Sequence, residues 1–271
     1  MALWNKLNNS GNIEDRRSAG PGVVVGGGLG VIGIVIVLAL NFLGGGDVTD
    51  VLNQIENVQT QSAQTYNAQD FEGSDDYEVF TSKVLGSAND MWSQIFAQNN
   101  LVYHEPRLVL FRGSTQSECG GADSRVGPHY CPLDKTIYLD ETFFDELTKR
   151  FGAEGGDVAE AYVIAHEVGH HVQQELNGMS ETRSNEESIQ IELQADCYAG
   201  LWAYSIKDLG VFEPGEIHEA IDAAATVGDD RIQSKVTGRV NPESWTHGSS
   251  AQRIEAFNSG YENGLVGMCD I

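Results

Sequence analysis

The stretch 157–178 reads DVAEAYVIAHEVGHHVQQELNG, and its centre is the pattern His-Glu-x-x-His, with histidines at positions 166 and 170. Asp157 with Glu160 predicts a capping box at the start of a helix, and the Asn-Gly pair that closes the stretch predicts its end. The pattern therefore falls in the middle of a predicted helix.

The spacing of this pattern suits a metal site. Residues four apart on a helix lie on one face with Cβ atoms roughly 6 Å apart, so the imidazoles of His166 and His170 can bind one zinc ion. Glu167 projects about 100° round the helix from His166, beside the metal, where a base for water belongs. A chance occurrence is the alternative in a chain with seven histidines. The position between predicted helix ends favours Zn²⁺ binding, with Glu167 as a catalytic residue.

A hydrolytic zinc site usually has three protein ligands and one open position. The stretch 191–196, IELQAD, places Glu192 and Asp196 one helical turn apart. One carboxylate of such a pair can bind the metal while the other accepts a hydrogen bond from a ligand imidazole. We predict Glu192 as the third ligand and Asp196 as the residue that orients a histidine. Glu186 and Glu187 are competing ligands, although Glu187 already completes a predicted capping box with a serine.

The other histidines carry weaker signals. His171 points about 100° away from His170, so we expect it to support a ligand or to lie at the surface. Three more histidines have no partner visible in the sequence and are treated as ordinary: His104, His129 and His218.

The remaining periodicities predict an α+β fold. Apolar residues at intervals of three and four predict a helix over residues 74–99. Two β-rich runs, Arg107–Arg112 and Thr136–Asp140, predict strands of a small sheet, and the second could pair with an extended substrate at a sheet edge. Cap and stop signals predict further helices at Glu141–Phe151, from Ser184 to about Gly210, from Pro214 to Gly228 and from Ser249 to Gly260.

Residues 22–43 read GVVVGGGLGVIGIVIVLALNFL and contain no charged side chain. This stretch is long enough for a transmembrane helix. Three basic residues precede it and none follows before Lys83, so the N-terminus is expected in the cytoplasm and the domain outside. A cleaved signal peptide is the alternative. We predict a cytoplasmic tail (1–21), an anchor in the cell membrane (22–43), a flexible linker (44–73) and a catalytic domain (74–271).

The composition limits the classes of partner. The formal net charge is -24. Such an acidic surface repels phosphate backbones, so we expect no nucleic-acid partner, and a peptide or protein is the expected substrate. Solubility is the simpler reason for the charge, and the oligomeric state is left open.

Four cysteines, all after the predicted anchor, form an even set in a compartment expected to be oxidising. Cys119 and Cys131 flank a Gly-rich loop that a disulfide between them would hold. Cys197 and Cys269 would then form a second bridge and tie the C-terminus to the helix of Glu192. A second metal site is the alternative, but no Cys-x-x-Cys pattern occurs.

Several separated blocks follow one another in a specific order: HEVGHH, IELQADCYAG, VGDD at 227–230 and WTHGSSAQR at 245–253. Together they resemble the bacterial neutral zinc metallopeptidase family of membrane-anchored proteins, over about residues 74–271. The resemblance implies a zincin-like α+β domain, consisting of a small sheet, the HExxH helix and a second ligand helix.

The resemblance also implies peptide-bond hydrolysis through a metal-activated water, with Glu167 as the general base. In similar proteins the carboxylate that opens a Glu-x-x-x-Asp pattern binds zinc, which supports Glu192. A further donor must stabilise the oxyanion. His247 is our candidate catalytic residue for this role, and Tyr198 and Arg253 are alternatives.

A second class of function is a catalytically silent zinc-containing binding protein that presents its acidic surface to a partner. The intact Glu167 favours the enzyme, because a structural zinc site has no use for an adjacent base and prefers four closed ligands.

Overall fold

A mixed sheet with helices packed against one face forms the body of the computed structural model. The predicted α+β class is confirmed, and the arrangement fits a zincin-like domain. The structure describes residues 2–10, 12–17, 69–70, 75–123, 127–178 and 184–270.

The main sheet has five strands in the order β2-β1-β3-β7-β6, and β4 and β5 form a separate hairpin. Strand β3 pairs in parallel with both β1 and β7, whereas β6 pairs antiparallel with β7. The strands are β1 (Ile13–Asp15), β2 (Gln69–Asp70), β3 (Arg107–Phe111), β4 (Ser114–Ser117), β5 (Gly120–Asp123), β6 (His129–Cys131) and β7 (Thr136–Asp140).

Seven α-helices lie within the described ranges. The second continues as a π-helical turn, Leu147–Phe151, that ends at Gly152 in the left-handed conformation, which agrees with the helix predicted over Glu141–Phe151. The helices are α1 (Asp76–Gln98), α2 (Thr142–Glu146), α3 (Asp157–Asn177), α4 (Asn185–Ile206), α5 (Ile217–Thr226), α6 (Asp229–Thr237) and α7 (Ser250–Asn263).

Strand β3 is apolar on both faces, because each face meets a different group of side chains. Leu108 and Leu110 pack with the helices in the main core, and Val109 and Phe111 pack on the other side near the β4–β5 hairpin. The HExxH helix α3 crosses the first face, and its buried apolar residues hold it against the sheet and against α1, α4 and α5. This packing fixes where the histidines of α3 point.

The N-terminal residues pack against the domain, which differs from the tail expected over 1–21. Trp4 is buried and its Nε1 donates to the Asp157 carboxylate at 2.7 Å, while the Ala2 backbone amide donates to the same group at 2.9 Å. Strand β1 then inserts between β2 and β3. Hydrogen-bonded strands cannot lie on opposite sides of a bilayer, so residues 13–15 lie on the same side as the domain.

The predicted anchor at 22–43 and most of the predicted linker at 44–73 lie outside the described residues. No helix in the described ranges is long and apolar enough to span a membrane. Attachment to the cell membrane stays a prediction, but the predicted topology, with a cytoplasmic N-terminus and one crossing before an outer domain, disagrees with the pairing of β1 with β3.

Three sequence predictions on local structure are wrong. The cap of α3 is Gly156, and the Asp157 side chain caps nothing, because it binds the N-terminal segment instead. Helix α7 continues past Gly260, which is a glycine because the backbone of Cys197 lies directly against it. Strand β7 lies between β3 and β6, so it offers no free edge to a substrate.

Other local predictions are confirmed. Ser184 and Ser249 each form a full capping box, the first with Glu187 and the second with Gln252. Both predicted disulfides, Cys119–Cys131 and Cys197–Cys269, are present.

Candidate metal centre

Two helices bring three potential zinc ligands together. His166 and His170 lie one turn apart on α3, and Glu192 faces them from α4. The His166 Nε2 atom lies 3.3 Å from Glu192 Oε2, and the His170 Nε2 atom lies 3.5 Å from Glu192 Oε1. All three donor atoms lie within 4.8 Å of one another. No other such group of His, Cys, Asp or Glu occurs in the described part of the chain.

These donors fit zinc. Ligands about 2.0–2.1 Å from a tetrahedral ion lie roughly 3.3 Å from each other, close to the separations found here. Glu192 Oε2 is buried and receives no hydrogen bond from the described residues, so this oxygen is available to bind a cation. Two imidazoles and one carboxylate form a donor set typical of hydrolytic zinc sites.

Both histidines are oriented through their other ring nitrogen. His166 Nδ1 lies 2.9 Å from Asp196 Oδ1, and His170 Nδ1 lies 2.9 Å from Gln173 Oε1. Since these oxygens accept hydrogen bonds, each Nδ1 carries the proton and each Nε2 offers its lone pair to a metal.

Asp196 is fully buried and holds several groups in place. Arg253 donates to it from Nε at 2.7 Å and from Nη2 at 2.9 Å, and the Tyr162 hydroxyl also donates to it. Burial raises the pKa of Asp196, but Arg253 and His166 hold it below its usual value. The carboxylate therefore stays ionised and keeps the His166 ring fixed.

The ligand carboxylate has a similar balance of charges. Burial raises the pKa of Glu192, but His170 and His166 lower it well below its usual value. An ionised carboxylate facing two imidazole nitrogens is the state that a divalent cation requires.

The general-base candidate lies at the edge of the same centre. Glu167 is 4% exposed and lines a pocket together with His166, Glu192 and His247. Because Glu167 follows His166 on the helix, its carboxylate lies beside the three donors and not among them.

His247 reaches this pocket from the loop before α7. Its Nδ1 lies 3.2 Å from Asp229 Oδ1, and Asp229 Oδ2 accepts from the backbone amides of Thr246, His247 and Gly248. Burial raises the pKa of Asp229, but these hydrogen bonds hold it below its usual value. Asp229 thus fixes the His247 ring through Nδ1, and the Nε2 atom takes no part in the contact with Asp229.

The other sequence candidates lie in different surroundings. Arg253 lines the pocket, but its Nε and Nη2 hydrogens are used by Asp196 and Tyr162. Tyr198 is buried in the core, with its ring packed against Trp92. His171 is buried and away from the ligands: its Nδ1 lies 3.0 Å from the Tyr130 hydroxyl. Neither Tyr198 nor His171 belongs to the centre.

Sequence reasoning missed three residues that position the site. Gln173 and Tyr162 lie three residues after His170 and four before His166, so helical spacing alone could have indicated them. Asp229 lies in the VGDD block, 18 residues from its partner His247, and no local spacing could have paired them.

Comparisons with known proteins agree with the geometry. A family described as "Putative neutral zinc metallopeptidase" matches residues 2–271. "Uncharacterized protein YpfJ" of Escherichia coli (strain K12) is 38% identical over 284 residues, which cover 98% of this chain and 97% of that protein. "Uncharacterized protein Rv2575" of Mycobacterium tuberculosis and "Uncharacterized protein Mb2605" of Mycobacterium bovis are each 46% identical over 183 residues, or 62% of either chain. No solved structure matches.

Proposed function

The chain belongs to the neutral zinc metallopeptidase family, as its motifs predicted, and from this premise we propose that it is a zinc-dependent peptidase. In this proposal His166, His170 and Glu192 hold the metal. The observation that carries the proposal is the convergence of these three side chains beside a further carboxylate, Glu167, which lies outside the three-donor group. A purely structural site would instead close with a fourth protein ligand.

The residues of the chain divide the work of hydrolysis. When bound, zinc supplies a Lewis acid that lowers the pKa of water to about 7 and polarises a carbonyl group. Glu167 accepts a proton from the attacking water and then delivers it to the leaving amine. Its low exposure keeps the transferred proton away from bulk solvent.

His247 is our proposed oxyanion donor. It is 6% exposed, lines the same pocket as Glu167, and has its Nδ1 held by Asp229. When Nε2 also carries a proton, it donates a hydrogen bond to the carbonyl oxygen as negative charge develops there. A donor fixed before the reaction needs no reorganisation at the transition state.

The substrate backbone is proposed to pair with β6. This strand ends the described sheet and has β7 on one side only. Gly127 and Pro128, which lead directly into β6, line the pocket that contains Glu167. An extended peptide added to this edge would therefore pass in front of the centre.

An extracytoplasmic location is proposed as well. The two disulfides support it, because such bonds persist mainly in oxidising compartments. Residues 2–17 would lie in the same compartment, since β1 is part of the sheet.

The test uses the full chain and its Glu167→Gln variant. Zinc content is measured first, and casein and a peptide library are then incubated with each protein, with and without a chelator. We expect one zinc per chain in both proteins, chelator-sensitive cleavage by the wild type, and a loss of at least about 100-fold in the variant. If both proteins bind zinc and neither cleaves anything, the silent binding protein is the correct description.

A further inference from the structure

An apolar pocket adjoins the metal centre. Its cavity volume is about 80 Å³, several times the roughly 10–15 Å³ that holds one water molecule, and it is partly open to solvent. Its lining includes four residues of the metal centre and its surroundings: His166, Glu167, Glu192 and His247. The rest of the wall is mainly apolar and comes from several elements: Phe143, Leu147, Phe151, Val163, Val227 and Ile232.

Most of this wall belongs to a hydrophobic cluster separate from the main core. Leu147 and Phe151, from the turn after α2, are buried and pack with Val227 and Ile232, from the start of α6 and the residues before it. Val163 lies on α3 four residues before Glu167 and is 8% exposed. The position of the wall is thus set by the same helix that carries the base.

The side chains that line the pocket disfavour a charged occupant. Arg253 is the basic side chain of the lining and is already bound by Asp196, so an acidic group would gain no free partner. A basic group buried against the apolar wall would lose its hydration without gaining a free carboxylate, since the two carboxylates of the lining, Glu167 and Glu192, act as base and metal ligand in the proposed function. A neutral apolar side chain instead gains free energy from the burial of its surface against this wall.

We propose that this pocket binds a bulky hydrophobic side chain of the substrate, such as Phe, Leu or Met, on a residue that flanks the scissile bond. The adjacency of the wall to Glu167 and His247 limits the choice to a flanking residue, because a more distant one would not reach. This inference rests on the proposed peptidase function and adds a substrate class to it. Ile232, which is half-buried and lines the wall, is the specificity-determining residue that we test.

Cleavage of a peptide library by the full chain is the first measurement. We expect a preference of at least about tenfold in kcat/KM for Phe, Leu or Met over Ala at one flanking position, and rejection of Asp and Lys there. The Ile232→Trp variant fills the pocket and should reduce the Phe-to-Ala ratio at least tenfold while zinc content is unchanged. The matched control is Leu133→Trp, at an exposed leucine outside the pocket, which should keep the wild-type ratio.

Peptide binding to the Glu167→Gln chain is the second measurement, because it does not need turnover. We expect a Phe-containing peptide to bind at least about tenfold more tightly than its Ala or Asp counterpart, and Ile232→Trp to remove the difference. Cleavage without any apolar preference would overturn this inference and leave the peptidase function standing. Selective binding without cleavage would keep the pocket and overturn the peptidase function, and neither cleavage nor selective binding would overturn both.

Discussion

The three central residues of the site were predictable because the helix itself sets their geometry. His166, Glu167 and His170 lie within one turn, so the spacing in the sequence is also the spacing in space. Glu192 could be chosen among four acidic residues only because its partner Asp196 lies one turn away. Asp229 could not be found in this way, since its contact with His247 depends on where the loop before α7 folds.

Gln173 is a residue-scale test of how the ligands are oriented. Its Oε1 accepts from His170, and its Nε2 donates to the backbone oxygen of Ile191 at 2.8 Å on the neighbouring helix. Gln173→Leu removes the acceptor, so we expect zinc affinity to fall about 10- to 100-fold. Competition with a chromophoric chelator measures the affinity.

The matched variant is Gln194→Leu, which removes an acceptor of the Gln173 Nε2 group but leaves the contact between Gln173 Oε1 and His170, and should retain most of the affinity. Unfolding of the metal-free proteins shows whether the fold itself has changed. Equal zinc affinity for the wild type and Gln173→Leu would show that Gln173 does not orient the ligand.

At the scale of the element, the first turn of α3 differs most from the sequence prediction. Glu160 was expected to complete a capping box, but its carboxylate is largely buried beside Tyr77. Burial, with Asp157 and Glu141 nearby, raises the pKa of Glu160 to about 7. Sequence patterns identified the helix but not its cap, because the N-terminal segment that binds Asp157 is more than 150 residues away in the chain.

Glu160 should make the stability depend on pH. Its folded-state pKa lies above the usual 4.5, so between about pH 4.5 and 7 the folded state binds more protons than the unfolded state. Stability is therefore lost as the pH rises through this window, by up to about 3 kcal/mol. Glu160→Gln should match the wild type at about pH 4, below both pKa values, and be more stable at about pH 8, as measured by urea unfolding.

The control for this measurement is Glu186→Gln, at an exposed position in the first turn of α4, which should keep the wild-type pH dependence. If Glu160→Gln is less stable than the wild type at pH 8, Glu160 is not the cause of the pH-dependent stability.

Helices α4 and α7 cross at two glycines that the sequence could not explain. A Cβ atom at Gly260 would lie 2.0 Å from the Cys197 oxygen, and one at Gly200 would lie 2.0 Å from the Phe257 oxygen. This close crossing sets the distance between Asp196 on α4 and Arg253 on α7. A contact between two backbones leaves no periodic signal, which is why the sequence predicts a helix end at Gly260.

Gly260→Ala should therefore force the two helices apart. We expect a loss of about 3 kcal/mol or more in the free energy of unfolding, together with weaker zinc binding, because α4 carries Glu192. The comparison is Gly267→Ala, where a Cβ atom would meet no atom within 4 Å. Equal losses for the two variants would contradict the close-crossing explanation.

At the scale of the whole molecule, the domain is larger than the sequence suggested. The motifs predicted a folded unit from residue 74, yet Trp4 packs against Phe80, Trp202 and Phe212, and β1 completes the sheet. A segment as short as 2–17 carries little periodicity, and its role depends on partners far along the chain. The fold class could be predicted from local patterns, whereas this closure of the core could not.

Trp4→Ala tests the contribution of the N-terminal segment. Loss of a buried tryptophan should cost about 3–5 kcal/mol in the free energy of unfolding. Leu3→Ala is the neighbouring control, since Leu3 is 43% exposed and should change the stability by no more than about 0.5 kcal/mol. Chemical unfolding of the full chain measures the stability of both variants. If Trp4→Ala is as stable as the wild type, residues 2–17 are not part of the folded core.

The location of a single zinc ion tests the central claim most directly. Anomalous diffraction at the zinc edge, from crystals of the zinc-loaded chain, should give one peak about 2.0–2.2 Å from His166 Nε2, His170 Nε2 and a Glu192 oxygen, with one coordination position open to the pocket. The absence of a peak at this position would contradict the assignment of the chain as a zinc peptidase. A zinc ion whose fourth coordination position is closed by another protein atom would contradict it as well.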